Sequence, residues 1–190
     1  MSEYKFKTKP YAHQMQALKN SFDKEYYAFF MEMGTGKSKV LLDEIGGYFL
    51  RGKIDSAIII APKGVYRNWE RGEIPTHLSD DVPYTVATWK APSEMTKNDK
   101  QNLKDIVQPN GKLRIVLMNI EALSGSVGIK YATHFLHRNN TLLAIDESTT
   151  IKTPNAARTK NALKISKLAK FRRIMTGSPV TKNPLDVYSQ

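Results

Sequence analysis

Gly34, Thr35, Gly36, Lys37 and Ser38 follow the apolar run Tyr26 to Met31 and open a second apolar-patterned segment. A glycine-rich turn between a strand and a helix aims successive backbone N–H groups and the positive end of the helix at an anion. Lys37 adds a point charge and the Ser38 hydroxyl can ligate Mg²⁺, so this spacing suits the binding of nucleotide phosphates. The pattern G-x-x-x-x-G-K-[ST] is incomplete, because its first position is Met31. Alone, the turn is only moderately specific, a tight helix cap being the bland and less favoured reading, and its meaning depends on what the fold brings to it.

A second group is Asp146-Glu147, directly after the apolar run Leu142-Leu143-Ala144-Ile145. Two carboxylates emerging from a buried strand can divide the work of hydrolysis: one holds Mg²⁺ and the other orients and deprotonates a water. An isolated pair of this kind is more often a turn cap beside a solvated acid; company with Lys37 and Ser38 favours the chemical reading. A third group, Thr176-Gly177-Ser178-Pro179, follows another short apolar run.

The elements that must position these groups follow from hydropathy. Short β-branched runs alternate with longer amphipathic segments, which predicts an α/β domain with a mostly parallel central sheet and helices on both faces. Strands are expected at Tyr27–Met31, Ala57–Ala61, Tyr84–Trp89, Arg114–Met118, Leu142–Ile145 and Arg173–Met175. Helices are expected at Ala12–Phe22, Lys37–Leu50, Gly64–Glu73, Ser93–Val107, Val127–Arg138 and Asn155–Ala169, with Leu41, Ile45, Tyr48 and Phe49 on the buried side of the second. The polar stretch Ser93 to Asn102 reads as a mobile insertion. Ligands of an open parallel sheet bind beyond the carboxyl ends of its strands, and the three groups fall at three such ends.

Composition narrows the partners. A chain of 190 residues suits a single domain, expected here over 1–190. With no cysteine, disulfides and thiolate metal sites are excluded, and His13, His77, His134 and His137 lack zinc-site spacing. No apolar run approaches the ~20 residues needed to cross a bilayer, and the first residues lack a signal-peptide core, so a cytoplasmic protein without membrane partners is expected. The net charge of +11 is uneven: Ser148 to Gln190 carries nine basic residues against the single acid Asp186. Such a block attracts polyanions, nucleic acid above all, unless it is merely a solvated helix face. Trp69 and Trp89 can stack on bases, but their settings favour core packing.

These residues resemble a known family. The Gly34–Ser38 loop, Asp-Glu-Ser-Thr at 146 to 149 and Thr176-Gly177-Ser178-Pro179 look like motifs I, II and III of superfamily-two helicases, especially the Swi/Snf-type DNA translocases. Pro10 to Leu18 is similar to the family's Q-motif, here within an N-terminal segment 1–24. Ala57 to Trp69 looks like motif Ia, and Met118 to Leu123 like motif Ib. Ile151-Lys152-Thr153-Pro154 with Arg158-Thr159-Lys160 is similar to the basic extension after motif II. Ser148-Thr149 replaces the usual Ala-His, a form associated with helicase-like proteins of bacteriophages and bacteria.

The resemblance implies a three-layer, RecA-like P-loop NTPase fold with ATP and Mg²⁺ as cofactors. Gly34, Thr35 and Gly36 would cradle the phosphates and Lys37 would contact the β- and γ-phosphates. Ser38 and Asp146 would hold Mg²⁺, Glu147 would activate water, and Gln14 would select adenine. Thr176 and Ser178 would couple the γ-phosphate to nucleic acid, with duplex DNA the favoured partner. Lys63, Arg67, Asn119, Lys152, Arg158 and Lys160 would grip it. The family's second RecA-like domain supplies an arginine finger and the other wall of the cleft. It is expected to lie outside this chain, in cis or in trans, leaving a monomeric domain that binds ATP but hydrolyses it weakly. The rival is a stand-alone ATP- and DNA-binding docking module without motor activity. A small-molecule P-loop kinase is disfavoured by the Gln14 and Thr176–Pro179 motifs.

Overall fold

The computed structural model describes residues 4–151, 153 and 156–177. Its centre is a six-stranded sheet of β1 (Tyr26–Phe30), β2 (Ser56–Ala61), β3 (Tyr84–Thr88), β4 (Leu113–Asn119), β5 (Thr141–Asp146) and β6 (Phe171–Thr176). The spatial order is β1-β6-β5-β2-β4-β3, and every pairing is parallel. Each crossover returns the chain to the same sheet edge, so all six carboxyl ends lie together.

Strands at the centre are buried on both faces, which is why β2 and β5 read as unbroken apolar runs. Ala57, Ile59 and Ala61 pack against α2 (Lys37–Leu50) and a helical stretch of α3 (Val65–Asn68), a π turn (Trp69–Glu73) and α4 (Ile74–His77). Ile58 and Ile60 face the other way, toward α5 (Lys97–Asp105), α6 (Ser126–Arg138) and α7 (Ala157–Ser166). The sheet is thus covered on both sides, with α1 (Ala12–Ser21) packed against α2.

Three expectations need correction. The helix expected to end at Glu73 runs on to His77. Pro75 offers no N–H, and the chain passes it by widening one turn, with Ile74 N–H bonding back to Trp69 O. The stretch read as a mobile insertion is organised instead: Thr96 and Asp99 form a capping box that starts α5, and Asp99 also pairs with Lys90 at 2.8 Å. Finally, α2 has no solvated stripe over Lys39–Tyr48, all of which is buried. Its polar residues are matched within the protein: Lys39 pairs with Asp43 at 2.7 Å, and Glu44 with Arg173 at 2.7 Å. Burial pushes the Asp43 carboxyl up, while Lys39 opposes that shift.

Arg173 therefore does not belong to an outward basic surface, and the part-exposed Arg172 is matched by an acid there. Arg173 is sealed against Glu44, and Arg172 pairs with Glu25 at 2.9 Å. No helix among the described residues is long and apolar enough to cross a membrane.

Candidate active site

The carboxyl edge of the sheet collects the residues singled out in the sequence. Parallel register sets Phe30 beside Thr176 and Met175 beside Asp146, so the ends of β1, β6 and β5 form one continuous ledge. The Gly34–Ser38 loop leaves the first of these strands and enters α2.

Gly36 caps α2 with φ +83°, in the left-handed region that only glycine adopts at little cost. A Cβ there would also stand 2.3 Å from Gln14 Nε2. The positive φ is the firmer of the two constraints, since Nε2 is the far end of a flexible side chain. Lys37 Nζ donates to the carbonyls of Met31 at 2.9 Å and Glu32 at 3.1 Å. The ammonium thus rests on backbone oxygens at the strand end, a position from which phosphate oxygens can recruit it. Thr35 Oγ1 closes the loop by donating to Glu32 O at 2.7 Å.

Gln14 packs on this loop. Its Nε2 donates to Thr35 O at 2.9 Å, and its Oε1 accepts from Tyr11 N at 3.0 Å, which also starts α1. A carboxamide has two donors and two acceptor positions, so one of each remains for a ligand. Gln14 lines a cavity of about 520 Å³ together with Thr8, Pro10, Tyr11, Lys39 and His77. The exposed Tyr11 ring stacks on His13 at 5.9 Å. The leading segment is pinned by Tyr4 to Asp43, Lys7 to Asp80 and Thr8 to His77.

Asp146 ends β5 with both oxygens engaged. Oδ1 accepts the Glu147 N–H at 3.0 Å and Oδ2 accepts the Trp69 indole N–H at 3.1 Å. Burial pushes its carboxyl up from the usual range; the Trp69 hydrogen bond and the Lys37 charge pull the other way, and the charge of Glu147 adds to the rise. Glu147 itself has φ +51°, a strained conformation for a residue with a side chain. Thr176, fully buried, directs its hydroxyl to Glu147 Oε2 at 3.4 Å, a long contact. Gly177 lies so close to the first loop that a Cβ would meet Met33 Cγ at 3.1 Å and Met33 N at 3.2 Å. The three loops therefore touch.

Mg²⁺ prefers oxygen ligands and completes its shell with waters and substrate phosphates, so it asks for only one or two protein groups. Ser38 in the first turn of α2 and Asp146 at the end of β5 fit that need. Among the described residues no cluster of three or more acids or histidines offers a self-sufficient metal cage.

The expected nucleic-acid contacts are more mixed. Lys63 and Arg67 are exposed on the stretch after β2, Lys63 lying 3.7 Å from Glu94. Asn119 is buried and spends its Oδ1 capping the 3₁₀ turn Ile120–Ser124 through Ala122 N at 2.9 Å, so its side chain builds the turn rather than facing a ligand. Arg158 is half-buried and Lys160 exposed on α7. Lys152 and Ser178 lie outside the described residues. Trp69 and Trp89 are core residues, Trp89 packing on Tyr131 at 5.0 Å. The sequence reading missed Trp69's polar partner, and also His13, whose Nε2 reaches Thr35 O at 2.9 Å.

Comparison with known proteins bears on the family and the fold. The model of the SNF2-related domain family matches residues 10–189. The chain belongs to that family, as a Swi/Snf-type, RecA-like domain of superfamily two. Protein CHROMATIN REMODELING 24 of Arabidopsis thaliana is 27% identical over 168 residues, which is 83% of this chain and 14% of that protein. The Sulfolobus solfataricus SWI2/SNF2 ATPase core, solved in complex with dsDNA, superposes with a TM-score of 0.69 at 18% identity, covering all of this chain and 36% of that one. The UvsW helicase from bacteriophage T4 gives a TM-score of 0.67 at 12% identity, over 96% of this chain and 57% of its own. The chain thus spans only part of each relative.

Proposed function

We propose that this chain is the ATP-binding domain of a nucleic-acid-dependent ATPase that translocates on, or remodels, DNA. The observation that carries the reading is the contact among the three loops: Gly177 lies against Met33, and Thr176 is directed at Glu147, beside the lysine-bearing turn. In a site of this build, a change at one phosphate is felt at all three strand ends.

Tyr11 offers a ring for the adenine, and Gln14 offers its remaining donor and acceptor to the base edge. The N–H groups of Gly34 to Gly36 and the Lys37 ammonium take the phosphates. Ser38 and Asp146 are the residues that would hold Mg²⁺, which when bound neutralises charge on the phosphates. Glu147 orients a water and accepts its proton at a carboxylate oxygen. Phosphoryl transfer depends chiefly on positioning and charge, and an arginine finger is worth roughly 10³–10⁵ in rate. The resemblance gives that finger to a second RecA-like domain. The 190-residue chain is therefore expected to bind Mg·ATP and hydrolyse it slowly.

Lys63, Arg67, Arg158 and Lys160 are the phosphate-gripping residues in this reading, and the dsDNA in the Sulfolobus complex supports a duplex partner. Each phosphate neutralised steepens the fall of log K with log salt by about 0.9. The deciding experiment measures nucleotide binding and ATPase rates of this chain and of any longer gene product, with and without duplex DNA, beside Glu147→Gln. ATP binding, with DNA-stimulated hydrolysis that Glu147→Gln abolishes, is expected. Retained hydrolysis in Glu147→Gln would remove that residue from its role. DNA and ATP binding without turnover in the longer product would leave the docking module as the better account.

A further inference from the structure

Two tryptophans occur in this chain, and both are buried, yet they are used differently. Trp89 packs at a tilt of 35° against Tyr131 in the core beneath α5 and α6. Trp69 opens the π turn, is 1% exposed, and points its N–H at Asp146 Oδ2, 3.1 Å away. Filling the core at this place requires only an apolar ring. The indole adds one donor and no acceptor, and that donor meets the carboxylate assigned to Mg²⁺.

We propose that Trp69 is a positioning residue for the Asp146 carboxylate, holding it in the orientation in which it receives Mg²⁺. The inference rests on the nucleotide reading above and extends it to a residue outside the phosphate loops. The geometry is restrictive. Glu147 N–H fixes Oδ1 from the carboxylate's own strand end, and Trp69 N–H fixes Oδ2 from the far side, 77 residues away in sequence. With one donor on each oxygen, the plane of the carboxylate is set while each oxygen keeps a lone pair for a cation. Without the indole donor, only the local Glu147 bond remains, and the group can swing about it. Partners that orient a metal-binding side chain typically govern metal affinity by about 10–100-fold when removed. The π turn contributes to the same end, since Trp69 is its first residue and its carbonyl accepts the Ile74 N–H that steps around Pro75.

The test is a titration of the 190-residue chain with a fluorescent N-methylanthraniloyl-ADP, in EDTA and across Mg²⁺ concentrations. For Trp69→Phe, affinity in EDTA is expected within about twofold of wild type, while the Mg²⁺ midpoint rises by about tenfold or more. Trp89→Phe serves as the packing control and should leave both values within about twofold. An unchanged Mg²⁺ midpoint in Trp69→Phe overturns the inference and leaves the nucleotide reading standing. Equal loss in EDTA and in Mg²⁺ also overturns it, because that is what a purely structural tryptophan would give. Failure of the wild-type chain to bind nucleotide would defeat the underlying reading instead, and the inference with it. If Trp69→Phe does not fold, a benzothienyl-alanine at position 69, equal in shape but without the N–H, decides between the same outcomes.

Discussion

The two edges of the sheet hold their charges in opposite ways. At the amino edge Arg173 is sealed: Nε and Nη2 take both oxygens of Glu44 at 2.7 and 2.8 Å, and its remaining N–H groups reach Tyr48 Oη and the carbonyls of Ser21, Lys24 and Arg172. Arg114, also buried, bonds Asp55, Asn139 and the Val107 carbonyl. These guanidinium groups stitch the turns between elements and are closed off from solvent. At the carboxyl edge Lys37 rests on two carbonyls, and each oxygen of Asp146 accepts one N–H. The carbonyls under Lys37 can be exchanged for a ligand's oxygens, while each Asp146 oxygen keeps a lone pair beside the N–H that orients it. Charge that holds the fold is closed on itself, and charge at the proposed site is held in place but left available.

The largest break in this contrast should come from Arg173→Ala. It strands Glu44 in the core, and loss of one member of a buried pair costs about 3–5 kcal/mol. Urea unfolding should show that loss; a change below about 1 kcal/mol would mean the amino edge is not sealed. Next, Lys37→Ala should weaken nucleotide binding by about 10–100-fold, since hydrogen bonds to a charged group contribute roughly 1.5–3 kcal/mol. Its stability should stay within about 0.5 kcal/mol of wild type, because the ammonium is not buried among unpaired groups. If Lys37→Ala unfolded as readily as Arg173→Ala, the distinction between the edges would vanish.

Gly36→Ala sharpens the carboxyl edge. The positive φ alone costs about 1–2 kcal/mol for a residue with a Cβ, and the contact with Gln14 Nε2 adds to it. In a Gln14→Ala background the clash is gone and the penalty should shrink toward the backbone cost, which a double-mutant cycle by thermal unfolding would read. The smallest effect belongs to the surface of α5. Lys90 first, then the Thr96 N–H and hydroxyl, hold the Asp99 carboxyl down at about 2, against an ordinary 3.8. A depressed acid contributes its stability fully above the ordinary value and loses it as pH falls toward the folded one. Melting temperatures should therefore drop between pH 3.8 and 2 by slightly more in wild type than in Asp99→Asn.

Much of the frame was legible in the sequence. All six strands were found, with ends shifted by one or two residues, because strands buried on both faces leave apolar runs too short for helices. Lys37–Leu50 was bounded correctly by its glycine start. What escaped had partners far along the chain. Arg173 and Arg172 fell within a block read as polyanion-attracting, and α2 read as amphipathic, because the ion pair between Arg173 and Glu44 spans 129 residues. The helix expected over Gly64–Glu73 was ended too early, since the π turn that carries it past Pro75 depends on packing that periodicity does not carry. Asn119 was expected to grip nucleic-acid phosphates, while the turn after β4 takes its oxygen as a cap.

By itself, the sequence determined which residues form strands and where the lysine-bearing turn and the acidic pair fall among them. Backbone periodicity and turn geometry act over a few residues, and that range is written locally. Tertiary structure alone decided that Gly177 lies on Met33, that Gln14 grips the turn from α1, and that Trp69 faces Asp146. The physical reason is that a buried polar atom must find a partner, and which one it finds is set by where distant segments cross.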